Sequence, residues 1–139
     1  MARFISILSE ASIASQIAVL LNKHNRLTRQ HNMHTIMASN IDYYVELSGL
    51  AVVGCVGLVR QGPKLNLIKH LTVDTEYRRR GIAERLLRAA IDNCKTEYSY
   101  MTVREDNIPC LTLASKFMFV AVTKYWAKDH YVVVLGRKT

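Results

Sequence analysis

The residues best suited to chemistry lie between positions 70 and 87, where an apolar, β-branched segment leads through a polar turn into an amphipathic segment. Arg78, Arg79 and Arg80 directly precede Gly81 at the start of that segment. The first amides of a helix lack partners within the helix and lie at the positive end of its dipole, so they bind phosphate oxygens well. Arginine adds charge and forked donors that match a diphosphate, and glycine lets the backbone approach a ligand closely. The stretch therefore predicts a phosphate-binding loop at the start of a helix.

The two common nucleotide-binding motifs are missing from the sequence. It contains neither a G-x-x-x-x-G-K-[ST] loop nor a G-x-G-x-x-G turn, so ATP and NAD are poor candidates for the ligand. A net charge of +8 favours an anionic ligand, but charge alone does not separate a phosphate-bearing cofactor from nucleic acid. Aromatic residues are not interleaved with the basic ones, and no recognition-helix or zinc-finger signature occurs. A dedicated nucleic-acid-binding module is therefore disfavoured.

The loop Arg78-x-x-Gly81-x-Ala83 resembles the acyl-CoA pyrophosphate loop of the GNAT superfamily of N-acyltransferases. The pattern of that family is Gln or Arg, two residues, Gly, one residue, and then Gly or Ala. The segment Leu-Thr-Val-Asp at 71–74 extends the match, and further matches run from about residue 38 to residue 134. The resemblance implies acetyl-CoA, or another short acyl-CoA, as the cofactor.

The resemblance also implies a fold and a set of cofactor contacts. The expected fold is a single α/β (α+β) domain over residues 1–139, with a mixed, mostly antiparallel central sheet flanked by helices. Asn107 and Lys116 match the family by their spacing after the loop. Together with the loop, the residues expected to bind the cofactor are Leu71, Thr72, Val73, Arg78, Arg79, Arg80, Gly81, Ile82, Ala83, Asn107 and Lys116.

The activity that the resemblance implies is transfer of an acetyl or small acyl group from acyl-CoA to a primary amine by direct attack in a ternary complex. Such a site aligns the two reactants, polarises the thioester carbonyl with a backbone N–H and takes a proton from the ammonium. We expect that N–H to belong to Val73 or Thr72. The acceptor is expected to be a small-molecule or protein amine, the basic charge allows a nucleic-acid-linked acceptor, and the chain is expected to be a monomer or a homodimer.

The sequence departs from the family pattern where catalysis would occur. Ala114 stands where many members have a tyrosine general acid, and Thr102 stands where a general-base carboxylate is often found. His70, on the strand before the loop, and Glu46, on an earlier strand, are the candidate bases, and each is as readily explained as a packed or solvated side chain. Water is an alternative base. Other hydroxyl acids are available at Tyr100, Tyr125 and Tyr131. The departures keep open a second function, that of a catalytically degenerate GNAT-fold protein that binds CoA or a partner without turnover.

The composition is typical of a single cytoplasmic domain. The chain has 139 residues, 50% of them hydrophobic, so it can bury a core without disulfides. No apolar run approaches the ~20 residues of a membrane span, and the apolar stretch at 1–8 is too short for a signal peptide. Cys55, Cys94 and Cys110 are interpreted as reduced thiols. No metal site is expected, because the histidines within 24–34 have no cysteine or carboxylate nearby.

Hydrophobic periodicity and turn residues predict the elements that must position the loop. In the first half they are a strand at 3–8, a helix from Ser9 to about 22–25, a loop or weak helix at 23–34, a hairpin at 41–61 and a strand at 66–73. After the helix that opens at Gly81 they are a strand at 98–103, a short helix capped by Asp106 or Asn107 that runs to about 116, and a hairpin with strands at 122–126 and 130–135. Gly54 and Gly57 predict a bulge or a close backbone approach within the hairpin.

Overall fold

The computed structural model describes residues 9–24 and 30–138 and contains helices on both faces of one sheet. The helices are α1 (Glu10–His24), α2 (Met33–Ala38), α3 (Ile82–Asp92) and α4 (Ile108–Lys116). The strands are β1 (Asp42–Ser48), β2 (Ala51–Arg60), β3 (Leu65–Val73), β4 (Tyr98–Arg104), β5 (Val120–Ala127) and β6 (His130–Lys138). One 3-10 turn, Thr75–Tyr77, follows β3. The strand predicted at 3–8 lies outside the described residues.

The sheet has the strand order β1-β2-β3-β4-β6-β5, and every neighbouring pair is antiparallel except β3 and β4. The mixed, mostly antiparallel sheet predicted from the sequence is therefore confirmed. β3 and β4 pair in parallel only as far as Ile68 and Met101. Beyond those residues β3 continues along β2 to Val73, and β4 continues along β6 to Arg104. The carboxyl ends of β3 and β4 are thus not paired with each other, which leaves a gap beside the loop that follows β3.

The amphipathic pattern of α3 places its apolar side on the sheet and its charged side in solvent. Its buried residues are Ile82, Leu86, Leu87 and Ala90. They join a core that includes residues of α4, β2, β3, β4 and β6. A second core lies on the opposite face, where α1 and α2 pack against β1 and β2. The residues that α1 contributes to it are Ile13, Ala14, Ile17, Ala18, Leu20 and Leu21.

The close approach predicted from Gly54 and Gly57 is present, and so is a bulge. A Cβ atom at Gly57 would lie 2.6 Å from Cγ2 of Ile41, so no larger residue fits there without movement. The ladder between β2 and β3 is irregular between Cys55 and Gly57, and His70 on β3 has a φ of 59°. A bulge in β3 therefore turns the strand just before it reaches the loop.

The first helix ends within the predicted range of 22–25, and the segment 23–34, predicted as a loop or a weak helix, leads into a short second helix. α1 continues to His24, and α2 begins at Met33. α2 starts with a capping box, in which the Asn32 side chain accepts from the amide of Thr35 and the Thr35 hydroxyl accepts from the amide of Asn32. The basic, polar composition of the segment gave little indication of this short helix.

The C-terminal hairpin and the helix before it follow the prediction, with longer strands. β5 begins at Val120 and β6 extends to Lys138, because the ladder of β6 with β4 continues past Leu135. The cap of α4 is Asn107, whose side chain accepts from the amide of Cys110 at 3.3 Å. No helix of the described residues is long and apolar enough to cross a membrane.

Candidate cofactor-binding site

A cleft of about 650 Å³ lies between the end of β3, the loop into α3 and the first turn of α4. The predicted cofactor residues that line it are Leu71, Thr72, Val73, Arg78, Arg79, Gly81, Ile82, Ala83 and Asn107. The other lining residues are His24, Tyr77, Glu84, Pro109, Cys110 and Leu113. Arg80 and Lys116, also predicted to bind the cofactor, are not part of this lining. The unpaired ends of β3 and β4 thus lie beside the loop for which the sequence predicts phosphate binding.

The loop presents free amides to the cleft because of how α3 begins. Gly81 is the N-cap and has a φ of 76°, a left-handed conformation that glycine adopts without strain. The first hydrogen bond of α3 runs from the amide of Arg85 to the carbonyl of Gly81 at 3.1 Å. The amides of Ile82, Ala83 and Glu84 therefore have no acceptor within the helix. This arrangement suits the oxygens of a diphosphate.

The three arginines before Gly81 occupy different environments. The Arg78 Nε donates to the carbonyl of Val73 at 3.2 Å, which fastens its side chain along the end of β3. Arg79 lines the cleft and has a left-handed φ of 63°. The Arg80 guanidinium lies 4.9 Å from the ring centre of Tyr77. Arg78 and Arg79 therefore supply the positive charge of the cleft, whereas Arg80 covers the outside of the turn.

The wall formed by α4 is mostly uncharged. Cys110 lies in it, and burial raises the pKa of its thiol to about 11, so the group is protonated near neutral pH. Lys116, at the last turn of α4, forms an ion pair with Glu84 at 2.5 Å. The hydrogen bond from Lys116 is the main cause that lowers the pKa of Glu84. Glu84 lines the cleft, and it holds the Lys116 ammonium outside the lining.

The candidate base His70 lies in the packed layer between β1 and the segment before α2, and not in the cleft lining. Its Nδ1 is 2.8 Å from the Tyr43 hydroxyl, and its ring is 5.5 Å from that of His31. Burial lowers the pKa of His70 to about 4, with smaller contributions from the charges of Lys69 and His31. The imidazole is therefore neutral at pH 7. Its role as a base stays a prediction, and this position does not bring it to the cleft.

The candidate base Glu46 is also outside the cleft lining. It lies on β1, and its carboxylate accepts two hydrogen bonds from Arg85, at 3.3 Å from Nε and 3.2 Å from Nη2. This contact joins the edge strand β1 to the first turn of α3. Its catalytic role likewise stays a prediction.

The tyrosines considered as substitute acids are not in the lining either. Tyr125 and Tyr131 are 48% and 40% exposed on the C-terminal hairpin, and Lys124 lies 4.4 Å from the ring centre of Tyr131. Ala114 is fully buried on the core side of α4. The tyrosine among the lining residues is Tyr77, in the turn before the loop.

His24 is a residue of the cleft that the sequence interpretation missed. Its side chain is 7% exposed, its Nδ1 lies 3.4 Å from the Thr75 hydroxyl, and its Nε2 lies 3.8 Å from the Asp74 carboxylate. The sequence could have indicated that His24 is buried, because it lies four residues after Leu20 and seven after Ile17, on the buried face of α1. The described residues contain no group of three or more His, Cys, Asp or Glu that could hold a metal ion.

Comparisons with known proteins show the family and the fold of the chain. The model of the acetyltransferase (GNAT) family matches residues 11–119. An N-acetyltransferase from Staphylococcus aureus Mu50 has a similar structure, with a TM-score of 0.79, 15% identity, and 94% of each chain covered. Ard1 from Thermoplasma volcanium has a TM-score of 0.77 and 18% identity, with 94% of this chain and 93% of that one covered.

A GNAT family acetyltransferase from Elizabethkingia anophelis, solved with acetyl-CoA bound, has a TM-score of 0.64 and 16% identity, with 72% of this chain and 77% of that one covered. At these identities the solved structures show a shared fold. A search of curated proteins found no significant match.

Proposed function

Because the chain belongs to the GNAT family of acetyltransferases, we propose that it transfers an acetyl or another small acyl group from acyl-CoA to a primary amine. The observation that carries the proposal is the cleft at the start of α3, where unbonded amides, Arg78 and Arg79 face one space. A diphosphate needs this combination of donors and charge. Gly81 has a left-handed φ of 76°, a conformation that a residue with a side chain adopts only with strain, so the start of α3 depends on this glycine.

The residues of the cleft fit the parts of an acyl-CoA in order. The amides of Ile82, Ala83 and Glu84 and the side chain of Arg79 would hold the diphosphate. The end of β3, which β4 leaves unpaired after Ile68, would hold the extended pantetheine arm along its free backbone edge. The Leu113 and Pro109 side chains of α4 give that arm an apolar wall. Acyl-CoA supplies a thioester carbonyl that an uncharged amine can attack directly.

The remaining steps are polarisation of the thioester carbonyl by the backbone and removal of a proton from the amine. We propose that a backbone N–H near Thr72 or Val73 donates to the thioester oxygen, since both residues lie where β3 meets the cleft. Water is the proton acceptor that we propose, and His70 and Glu46, which are not part of the cleft lining, are the alternative bases. Alignment of two bound reactants alone contributes much of the rate acceleration in such reactions.

The second candidate function, a CoA- or partner-binding protein without turnover, is favoured by one observation. Ala114 stands at the position of the general acid, and it is fully buried. A binding protein needs the same cleft but no proton-transfer group.

Calorimetric titration with acetyl-CoA tests the cleft, and release of free thiol with a panel of small, peptide and nucleic-acid-linked amines tests turnover. Gly81→Asp places a carboxylate where the diphosphate is proposed to bind, and we expect it to lower acetyl-CoA affinity by roughly 100-fold or more. Gly49→Asp is the matched control, because Gly49 has a φ of 60° in the turn after β1 and a Cβ atom added there would meet nothing within 4 Å.

The outcomes separate the two functions. Binding with amine-dependent thiol release supports the transferase, and binding with no release from any amine supports the binding protein. Unchanged affinity in Gly81→Asp would reject the loop as the cofactor site.

A further inference from the structure

The end of α1 contacts the turn from which the chain enters the phosphate-binding loop. Asp74 is the corner of that turn: its amide donates to the carbonyl of Val53 at 2.8 Å, and its carbonyl accepts from the amide of Tyr77 at 2.9 Å. Its carboxylate accepts from the amide of Glu76 at 3.4 Å. The position of Asp74 therefore sets where Arg78 to Gly81 begin.

His24 is the residue of α1 that meets this corner. Its Nε2 is buried, has no hydrogen-bond partner among the described residues and lies 3.8 Å from the Asp74 carboxylate. Its Nδ1 lies 3.4 Å from the hydroxyl of Thr75. The imidazole also lines the cleft beside Arg78. A buried polar atom without a partner is uncommon in folded proteins and calls for an explanation, which a second state of the imidazole can give.

The charges around His24 define what that second state would do. Burial is the main cause that lowers its pKa, Asp74 raises it, and Arg78 and Lys23 lower it. The imidazole is therefore neutral at pH 7, with one ring nitrogen that cannot donate. A protonated imidazole would carry donors on both nitrogens, one of them facing Asp74, and would place a positive charge beside the cleft.

We propose that His24 is a positioning residue of the phosphate-binding loop, and that its protonation fixes the Asp74 corner and strengthens the binding of the anionic cofactor. This inference rests on the proposed function, because it concerns the same cleft. Binding of an anion stabilises the protonated imidazole, so by linkage protonation must strengthen the binding of the anion by the same factor. Affinity should therefore rise as the pH falls.

The experiment measures the dissociation constant of 3′-dephospho-CoA for the full chain by calorimetry between pH 8 and pH 5.5. This ligand keeps the diphosphate but lacks the phosphate monoester, whose own titration near pH ~6 would mimic the effect. We expect binding by the unmodified protein to be roughly three- to tenfold tighter at pH 5.5 than at pH 8. His24→Gln, which keeps polar atoms but does not titrate, should bind with little pH dependence. His34→Gln removes an exposed histidine of α2 that is not in the cleft lining, and it should behave as the unmodified protein does.

A second measurement does not depend on the folding of a variant. The ring signal of His24, followed by NMR in the unmodified protein, should titrate at a higher pH with the ligand than without it. A His24→Gln protein with the same pH dependence as the unmodified one, or a His24 titration that the ligand leaves in place, would overturn the inference while leaving the proposed function intact. Failure of the unmodified protein to bind the ligand at any pH would instead overturn the proposed function, and this inference with it.

Discussion

Two partly buried histidines, one at the end of α1 and one on β3, show how differently this fold uses the same side chain. His24 ends α1, lines the cleft and lies near the Asp74 carboxylate. His70 lies within the packed layer, bonded to Tyr43 and beside His31. Burial lowers the pKa of both. The charges around them differ, because the Asp74 carboxylate opposes the lowering of the pKa at His24, to which the cations Arg78 and Lys23 add. At His70 the charges of Lys69 and His31 both add to the lowering of the pKa.

Burial alone therefore does not identify a histidine as part of the functional site. Among the described residues, the charges that shift the pKa of His70 are those of Lys69 and His31, and His70 is not part of the cleft lining, so a proton there weakens the packing around it. A proton on His24 meets Asp74 and the proposed anion. The predictions below test this contrast between the cleft and the packed layer.

The largest expected effect is the acid sensitivity that His70 gives to the fold. Its pKa is about 4 in the folded protein and about 6.5 when unfolded, so between these values the unfolded chain binds more protons. Stability is therefore complete above about pH 6.5 and falls by about 3 kcal/mol as the pH drops to 4. His70→Asn, which tolerates the left-handed φ at this bulge, should remove most of that slope in urea unfolding at several pH values. His34→Gln, on exposed α2, should keep it.

The same variant measures whether His70 acts in catalysis. Loss of a general base lowers the rate typically by ~10²–10⁴, whereas loss of a packed side chain leaves the rate per folded molecule nearly unchanged. We expect the second result for His70→Asn in a thiol-release assay at pH 7. A rate loss of about 100-fold with unchanged affinity for acetyl-CoA would instead assign His70 to the reaction.

The next largest effect is a difference in acetyl-CoA affinity between variants of two neighbouring arginines of the loop. Arg79 lines the cleft, whereas Arg80 lies over the ring of Tyr77 outside it. Loss of a charge-assisted contact to phosphate weakens binding by roughly tenfold or more, so we expect that loss for Arg79→Ala. Arg80→Ala should change acetyl-CoA affinity by no more than about threefold, through the general charge of the loop. Equal losses in calorimetric titrations of the two variants would mean that the loop binds the diphosphate by charge alone.

A smaller effect is expected on stability from the partner of His70. Tyr43 is fully buried, and its hydroxyl lies 2.8 Å from Nδ1 of His70. Tyr43→Phe should lower the free energy of unfolding at pH 7 by about 1 kcal/mol, the usual value of one such bond. The same change in a His70→Asn background should have a smaller effect, since the partner is already gone. Additive losses in the two backgrounds would show that the two side chains contribute independently.

The loop was predictable from sequence because its signals are local. Arginines, a glycine and an amphipathic run stand next to one another in the chain, and the structure places all but Arg80 of that loop on the cleft. The strands were predictable for a similar reason, since alternation and apolar runs are properties of each strand alone, whereas their arrangement in a mixed sheet was implied by the family resemblance. The capping box at Asn32 lay in a basic segment with few apolar residues, so a short helix there was predicted only as an alternative to a loop.

The catalytic candidates were harder to predict because their environments are set by distant residues. The bulge at His70 turns its ring toward Tyr43 and His31, from β1 and the segment before α2, and no pattern around position 70 indicates this. Glu46 is bonded to Arg85, which is 39 residues away in the chain. His24 was within reach of prediction by its helical spacing, but its contact with Asp74 was not.

The smallest effect is expected from Lys116, which the family spacing assigned to the cofactor. In the structure its ammonium is bonded to Glu84 and lies outside the cleft lining. Exposed ion pairs contribute little to stability or binding, because solvent screens the charges and ordering the side chains opposes the gain. We therefore expect Lys116→Ala to change acetyl-CoA affinity by less than about twofold, with the Arg79→Ala loss as the reference for a residue of the lining. A loss comparable to that of Arg79→Ala would show that Lys116 leaves Glu84 for the cofactor, and that the side of the cleft formed by α4 carries charge when the ligand is bound.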